Sequence, residues 1–94
     1  MPLQAYVGRL GTAQSVGYGV AAGTITTAVG AGTYRVRVVV TTAAYILIAK
    51  DPTATTAHVY MPADRPEYFN IRPGEKVSAI RVTNDGTLYV SEIV

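Results

Sequence analysis

An all-β fold is predicted for this chain: a single antiparallel β-sandwich or barrel of roughly seven to eight short strands with little or no helix. Three observations predict it. Valine, threonine, isoleucine and tyrosine recur at period two through most of the sequence, turn residues interrupt them about every eight to twelve positions, and no run of about ten residues or more carries apolar side chains at the helical period of about 3.6. Its 94 residues leave room for one domain, and 49% hydrophobic with 15% charged residues excludes a disordered tail. A domain of this size removes only about 60 to 65% of its unfolded surface from water, so contact with copies of itself or with a partner is expected to add stability.

The elements follow in order. Residues 11–32 are rich in Gly, Ala and Thr, and the interleaved Val16, Tyr18, Val20, Ile25 and Val29 predict short strands joined by glycine turns. Small side chains specify register weakly, so within the single domain 1–94 the segment 1–32 reads as loosely specified and 33–94 as well patterned. In Tyr34–Thr41 one face carries Tyr34, Val36, Val38 and Val40, and the other begins with Arg35 and Arg37 and turns apolar at Val39. Tyr45–Ala49 is apolar on both faces, as in a central strand, and it stops at Lys50-Asp51-Pro52.

Thr56–Met61, with His58 inside it, reads as a short strand ended by Pro62, and the loop 62–66 is clamped by proline at both ends. Glu67–Ile71 is the next strand, with Phe69 and Ile71 on one face. Arg72-Pro73-Gly74-Glu75 has proline and glycine at the central positions of a type II turn. Lys76–Val82 switches its apolar side near Ala79, which predicts a bulge or burial on both faces. Thr83-Asn84-Asp85-Gly86 is expected to close a hairpin that returns antiparallel through Thr87–Ile93.

The composition excludes several chemistries. There is no cysteine and one histidine, which removes disulfides, thiol catalysis and a zinc site built on nitrogen and sulfur. His58 has no nucleophile motif beside it and reads as surface or strand-edge filling. Asp51, Asp64, Asp85, Glu67, Glu75 and Glu92 all sit in or beside turns or strand ends, where solvated acids lie, so neither a calcium loop nor a glycosidase pair is expected. Gly17 and Gly19 form a G-x-G, but Ala22 stands where the dinucleotide fingerprint needs its third glycine.

Eight basic and six acidic residues without runs give a net charge of +2, ordinary for solubility. The opening Met1-Pro2-Leu3-Gln4 lacks the basic start of a signal peptide, and no apolar stretch approaches the roughly 18 residues of a membrane span, so a soluble protein without membrane contact is expected. Seven tyrosines with Arg35 and Arg37 would suit a nucleic-acid stacking platform. Spread about one per strand, they read instead as packing the core rim with the hydroxyl outward.

The C-terminal half carries a more specific signal. Pro52-Thr53-Ala54-Thr55, then Tyr60-Met61-Pro62-Ala63 with Pro66-Glu67-Tyr68-Phe69, then Arg72-Pro73-Gly74-Glu75-Lys76-Val77, then Gly86-Thr87-Leu88-Tyr89-Val90-Ser91-Glu92, resembles small structural proteins of tailed bacteriophages. In that group a P-x-A-T loop, a Y-L-P-A-x-x-P-E-Y loop, a P-G-[EDQ]-K-[VI] turn and a final G-x-L-x-[VI]-[ST]-E strand recur. Arg65 and Arg72 stand where variable residues are expected.

The resemblance implies a non-enzymatic virion structural protein, a capsid decoration (cement) protein with a β-sandwich or jelly-roll-like fold. Its partners would be the major capsid protein and copies of itself, as a trimer or dimer. Its place would be the capsid surface, and the host cytoplasm during assembly. No cofactor, metal or small-molecule substrate is expected. Two other functions fit the residues: a tail or head-fibre adhesion module that binds a host glycan, and a single-stranded nucleic-acid-binding barrel. The residues expected to meet a partner are Asp64, Arg65 and Glu67, presented at low entropy cost around the proline clamp, with Tyr68 as an apolar anchor. The glycine-rich N-terminal part is expected to order further on that partner.

Overall fold

The computed structural model describes residues 10–93, and those residues contain strands and turns without a helix. The strands are β1 (Leu10–Tyr18), β2 (Gly23–Thr24), β3 (Arg35–Val40), β4 (Ala44–Ala49), β5 (Val59–Met61), β6 (Glu67–Asn70), β7 (Lys76–Arg81) and β8 (Gly86–Ile93). They form two four-stranded antiparallel sheets, the first in the order β1-β8-β3-β6 and the second in the order β2-β7-β4-β5. Neither sheet closes on itself, which sets aside the barrel alternative.

The pairing is nested: β1 with β8, β2 with β7, β3 with β6, and β4 with β5, all antiparallel. Two further pairings, β3 with β8 and β4 with β7, join these ribbons into the two sheets. Every link except β4–β5 therefore passes from one sheet to the other. The expected hairpin at Thr83–Gly86 is corrected by this topology: the turn is there, but β7 pairs with β2 and β4 while β8 pairs with β1 and β3. Turn residues encode only that the chain reverses. The partner is chosen by burial, and β8 sets Leu88 and Val90 directly opposite Val40 and Val38 of β3.

One core holds the molecule together. Val36, Val38 and Val40 are fully buried, as the period-two pattern of β3 requires, and Leu88 and Val90 pack beside them from the first sheet. The second sheet supplies Ala44, Ile46, Met61, Val77 and Ala79 to the same cluster, and Ile25, Val29 and Ile71 close it from the links. Each valine or isoleucine so buried contributes roughly 1.5–3 kcal/mol. In β7, Val77, Ser78 and Ala79 are buried in succession, and the register with β4 runs unbroken from Lys76 to Arg81. Burial on both faces, rather than a bulge, explains its apolar switch.

The glycine-rich part is ordered by close approach. β1 keeps register with β8 from Ala13 to Tyr18 after an irregularity between Leu10 and Ala13. A side chain on Gly23 would run into the backbone of Gly17, its Cβ only 3.0 Å from that carbonyl carbon, so β1 and β2 meet edge to edge only because residue 23 is glycine. Gln14 adds a clamp, its amide nitrogen donating to Thr27 O at 2.8 Å and its oxygen accepting from Thr27 N at 3.0 Å. Val20 departs from the expected pattern: it follows the end of β1 and is 75% exposed.

Three residue placements differ from expectation. His58 lies in the turn before β5 rather than inside a strand, where its Nδ1 accepts from Thr55 N at 2.9 Å and its own N–H donates to Thr55 O at 3.1 Å. That local ring of bonds outcompetes the sheet ladder. Glu92 is buried rather than solvated and accepts a 2.6 Å bond from the Thr33 hydroxyl. Tyr18 turns its hydroxyl into the structure, donating to Thr42 O.

Candidate functional site

The link between β5 and β6 carries the residues singled out at its proline clamp. Asp64 adopts a left-handed backbone, φ 59°, and its N–H donates to Val40 O at 2.8 Å, which fastens the loop to the end of β3. Aspartate tolerates that conformation better than most residues. Asp64 and Arg65 project into solvent from it, at the end of the molecule where the β1–β2, β3–β4 and β7–β8 links also lie. Glu67 and Tyr68 belong to β6, an outer strand of the first sheet. Glu67 stands opposite Val38 and Tyr68 opposite Arg37, so these neighbours fall on opposite faces. The four residues therefore divide into a loop tip, a strand edge and a sheet face.

That face is where the structure gathers residues distant in sequence. Arg37 lies opposite Tyr68 on one side and Ser91 on the other, and Ser91 lies opposite Ala13, which makes one row across all four strands. The next row sets Val39 opposite Tyr89 and Tyr89 opposite Ser15. Arg35 and Asn70 pair beyond Arg37 and Tyr68. Tyr68 is 60% exposed and Tyr89 48%, and Ala13 and Ser15 are exposed as well. The tyrosines are therefore not confined to the core rim. Tyr68 stands opposite Arg37 and Tyr89 in the next row on the same face, a placement that needs the pairing of β3 with both β6 and β8.

The outward face of the second sheet is different. The segment around Pro52–Ala54 crosses it: Ala54 N donates to Ser78 Oγ at 3.0 Å, and Thr24 Oγ1 donates to Pro52 O at 3.1 Å while lying 3.0 Å from Ser78 Oγ. Ser78 is fully buried as a result. Elsewhere on that face Tyr45 and Tyr60, directly opposite in β4 and β5, meet edge to face with ring centres 6.1 Å apart.

Beside β5 an open groove of about 270 Å³ is lined by Ile46, Leu47, Ile48, His58, Val59 and Phe69. It arises because β5 pairs with β4 only from Ala44 to Ile46, while β4 continues to Ala49. Its walls are apolar except for His58, whose Nδ1 is already engaged by the Thr55 backbone. No carboxylate, hydroxyl nucleophile or second base lines it, so it can hold an apolar group but has no paired acid and base with which to transform one.

Among the described residues no three His, Asp or Glu side chains group as a metal site would require, and no helix is long and apolar enough to cross a membrane. The Arg81–Asp85 ion pair, 2.7 Å, is an exposed contact within the β7–β8 region. No protein-family model matches this chain, and neither a curated protein nor a solved structure matches it.

Proposed function

We propose that this chain is a non-enzymatic structural protein of a tailed-bacteriophage virion, a capsid decoration protein that binds the coat lattice and stabilises it. We further propose that its two sheets form the sandwich of an eight-stranded jelly roll. The observation that carries the reading is the nested pairing β1·β8, β2·β7, β3·β6, β4·β5. A long antiparallel hairpin rolled on itself produces that order, and the jelly roll so formed recurs in viral capsid and lectin domains. Fold alone does not choose a function. The sequence resemblance adds the choice, and several of its motif residues fall at the junctions of this plan: Pro52 and Ala54 buried over Ser78, Pro62 and Pro66 at the β5–β6 link, and Gly74 at φ 90° between β6 and β7.

The partners in this reading are the major capsid protein and further copies of the chain as a trimer or dimer, and the setting is the capsid surface. The open face of the first sheet gives such a protein a contact surface. Incubation of the purified chain with undecorated heads of the phage that encodes it tests the proposal. The expected result is saturable co-sedimentation and a higher disruption temperature of the heads. Heads that take up none of the chain at saturating concentration would overturn it.

A further inference from the structure

We infer that the outward face of the first sheet, centred on Arg37 with Tyr68 opposite it and Tyr89 in the next row, is the surface that docks on a protein partner, and that the partner presents carboxylates to it. The inference rests on the decoration reading and deepens it by naming the contact face and the chemistry opposite. Its first support is composition. The outward positions of β1, β8, β3 and β6 hold Arg35, Arg37, Tyr68 and Tyr89 among small residues, with Val39, Asn70 and Ile93, and no Asp, Glu or Lys. Protein interfaces enrich Tyr and Arg at their centres and deplete Lys, Asp and Glu there, because aromatic rings and guanidinium groups lose little entropy and desolvate cheaply.

The second support is charge. Arg37 makes no ion pair with a described residue, and the opposed residues on either side of it, Tyr68 and Ser91, are neutral. A guanidinium that faces an aromatic residue across the strand pair and has no carboxylate opposite it suits a bidentate carboxylate from a partner. The third support is contrast. The second sheet's outward face is crossed by the chain's own Pro52–Ala54 segment, whereas Ala13 and Ser15 leave the first sheet low and open beside Tyr89.

Scale indicates how the face works. Four strands about 4.8 Å apart and about six residues at about 3.4 Å each give a platform of roughly 300 Å². A standard interface covers about 800 Å² per partner. A platform this small depends on few anchors, so losing one has a large effect on a single copy, and occupancy of a lattice relies on many copies.

The test is co-sedimentation with undecorated heads, comparing the wild-type chain with Arg37→Glu, Tyr68→Ala and Tyr60→Ala, each first shown to melt cooperatively. Tyr60 is the control, being exposed on the other sheet. Arg37→Glu and Tyr68→Ala are expected to bind at least ten-fold more weakly and Tyr60→Ala within about two-fold of wild type. Wild-type binding should also weaken as salt rises from about 0.05 to 0.5 M, and that of Arg37→Glu should not. Wild-type uptake with equal uptake of Arg37→Glu overturns this inference and leaves the decoration reading standing. No wild-type uptake overturns both. Binding of the chain to a polyuronate or to oligo-dT in place of heads overturns the assignment of a protein partner.

Discussion

The Tyr18 hydroxyl joins the end of β1 to the β3–β4 link through Thr42, donating to its carbonyl and accepting from its N–H at 3.2 Å. Thr42 in turn donates through Oγ1 to Asn84 O at 2.9 Å, so a third link, β7–β8, is held at the same point. Three crossovers between the sheets thus converge on the Tyr18–Thr42 pair. This end of the molecule also bears the Asp64–Arg65 loop, and its rigidity sets where that loop stands.

Tyr18→Phe keeps the ring in the core and removes the shared partner of two backbone groups. A loss of about 1–2 kcal/mol is expected, since Thr42 is only half-buried and water replaces part of what is lost. For a domain of this size that lowers Tm by roughly 4–8 °C per kcal/mol, which thermal melts followed by circular dichroism would read. An unchanged Tm would mean that the phenol does not hold the links.

Gly86→Ala is expected to destabilise the fold. The added Cβ would lie 2.6 Å from the Tyr18 hydroxyl and crowd Thr42 Oγ1 as well. Overpacking of this kind costs about 1–3 kcal/mol. Gly32→Ala, with nothing within 4 Å of its Cβ, is the control and is expected to be neutral or slightly stabilising. Denaturant midpoints of the two variants should separate clearly.

Thr33→Val removes the donor to buried Glu92 without changing shape greatly. A buried acceptor left without its partner costs about 1–3 kcal/mol. Glu92→Gln keeps an acceptor oxygen for the Thr33 hydroxyl and is expected to lose less. Equal stability of Thr33→Val and wild type in urea would show that the 2.6 Å bond does not matter to folding.

Gly74 sits at φ 90° in the turn where Glu75 N donates to Arg72 O at 3.0 Å and Arg72 N donates to Glu75 Oε1 at 2.8 Å. Gly74→Ala meets no steric neighbour, so its cost isolates the backbone conformation, about 1–2 kcal/mol. Gly74→Asn should recover part of that loss, as asparagine tolerates the left-handed region. A Gly74→Ala variant as stable as wild type would contradict the type II geometry.

Local features of this fold were legible because they depend on neighbouring residues. Alternation in β3 identifies Val36, Val38 and Val40 as inward, and Pro73-Gly74 announces its turn. Pairing was not legible, because Thr83–Gly86 signals reversal equally well for a hairpin and for a crossing between sheets. Val20 continues the alternation of Val16 and Tyr18 yet is exposed, since periodicity does not mark where a strand ends. The Asp64–Arg65 loop could be read from its flanking prolines. The arrangement of Arg37, Tyr68 and Tyr89 could not, because three residues on three strands meet only once β3 has found both β6 and β8. Glu92 gave no sign of burial, because its partner Thr33 lies in a distant link.

The most direct test of the decoration account is the copy number of the chain in purified virions, measured by quantitative mass spectrometry against the major coat protein. Lattice-wide binding predicts between about one chain per three coat subunits and one per one, as symmetric occupancy of a capsid requires. A few copies per particle, or none, would contradict it.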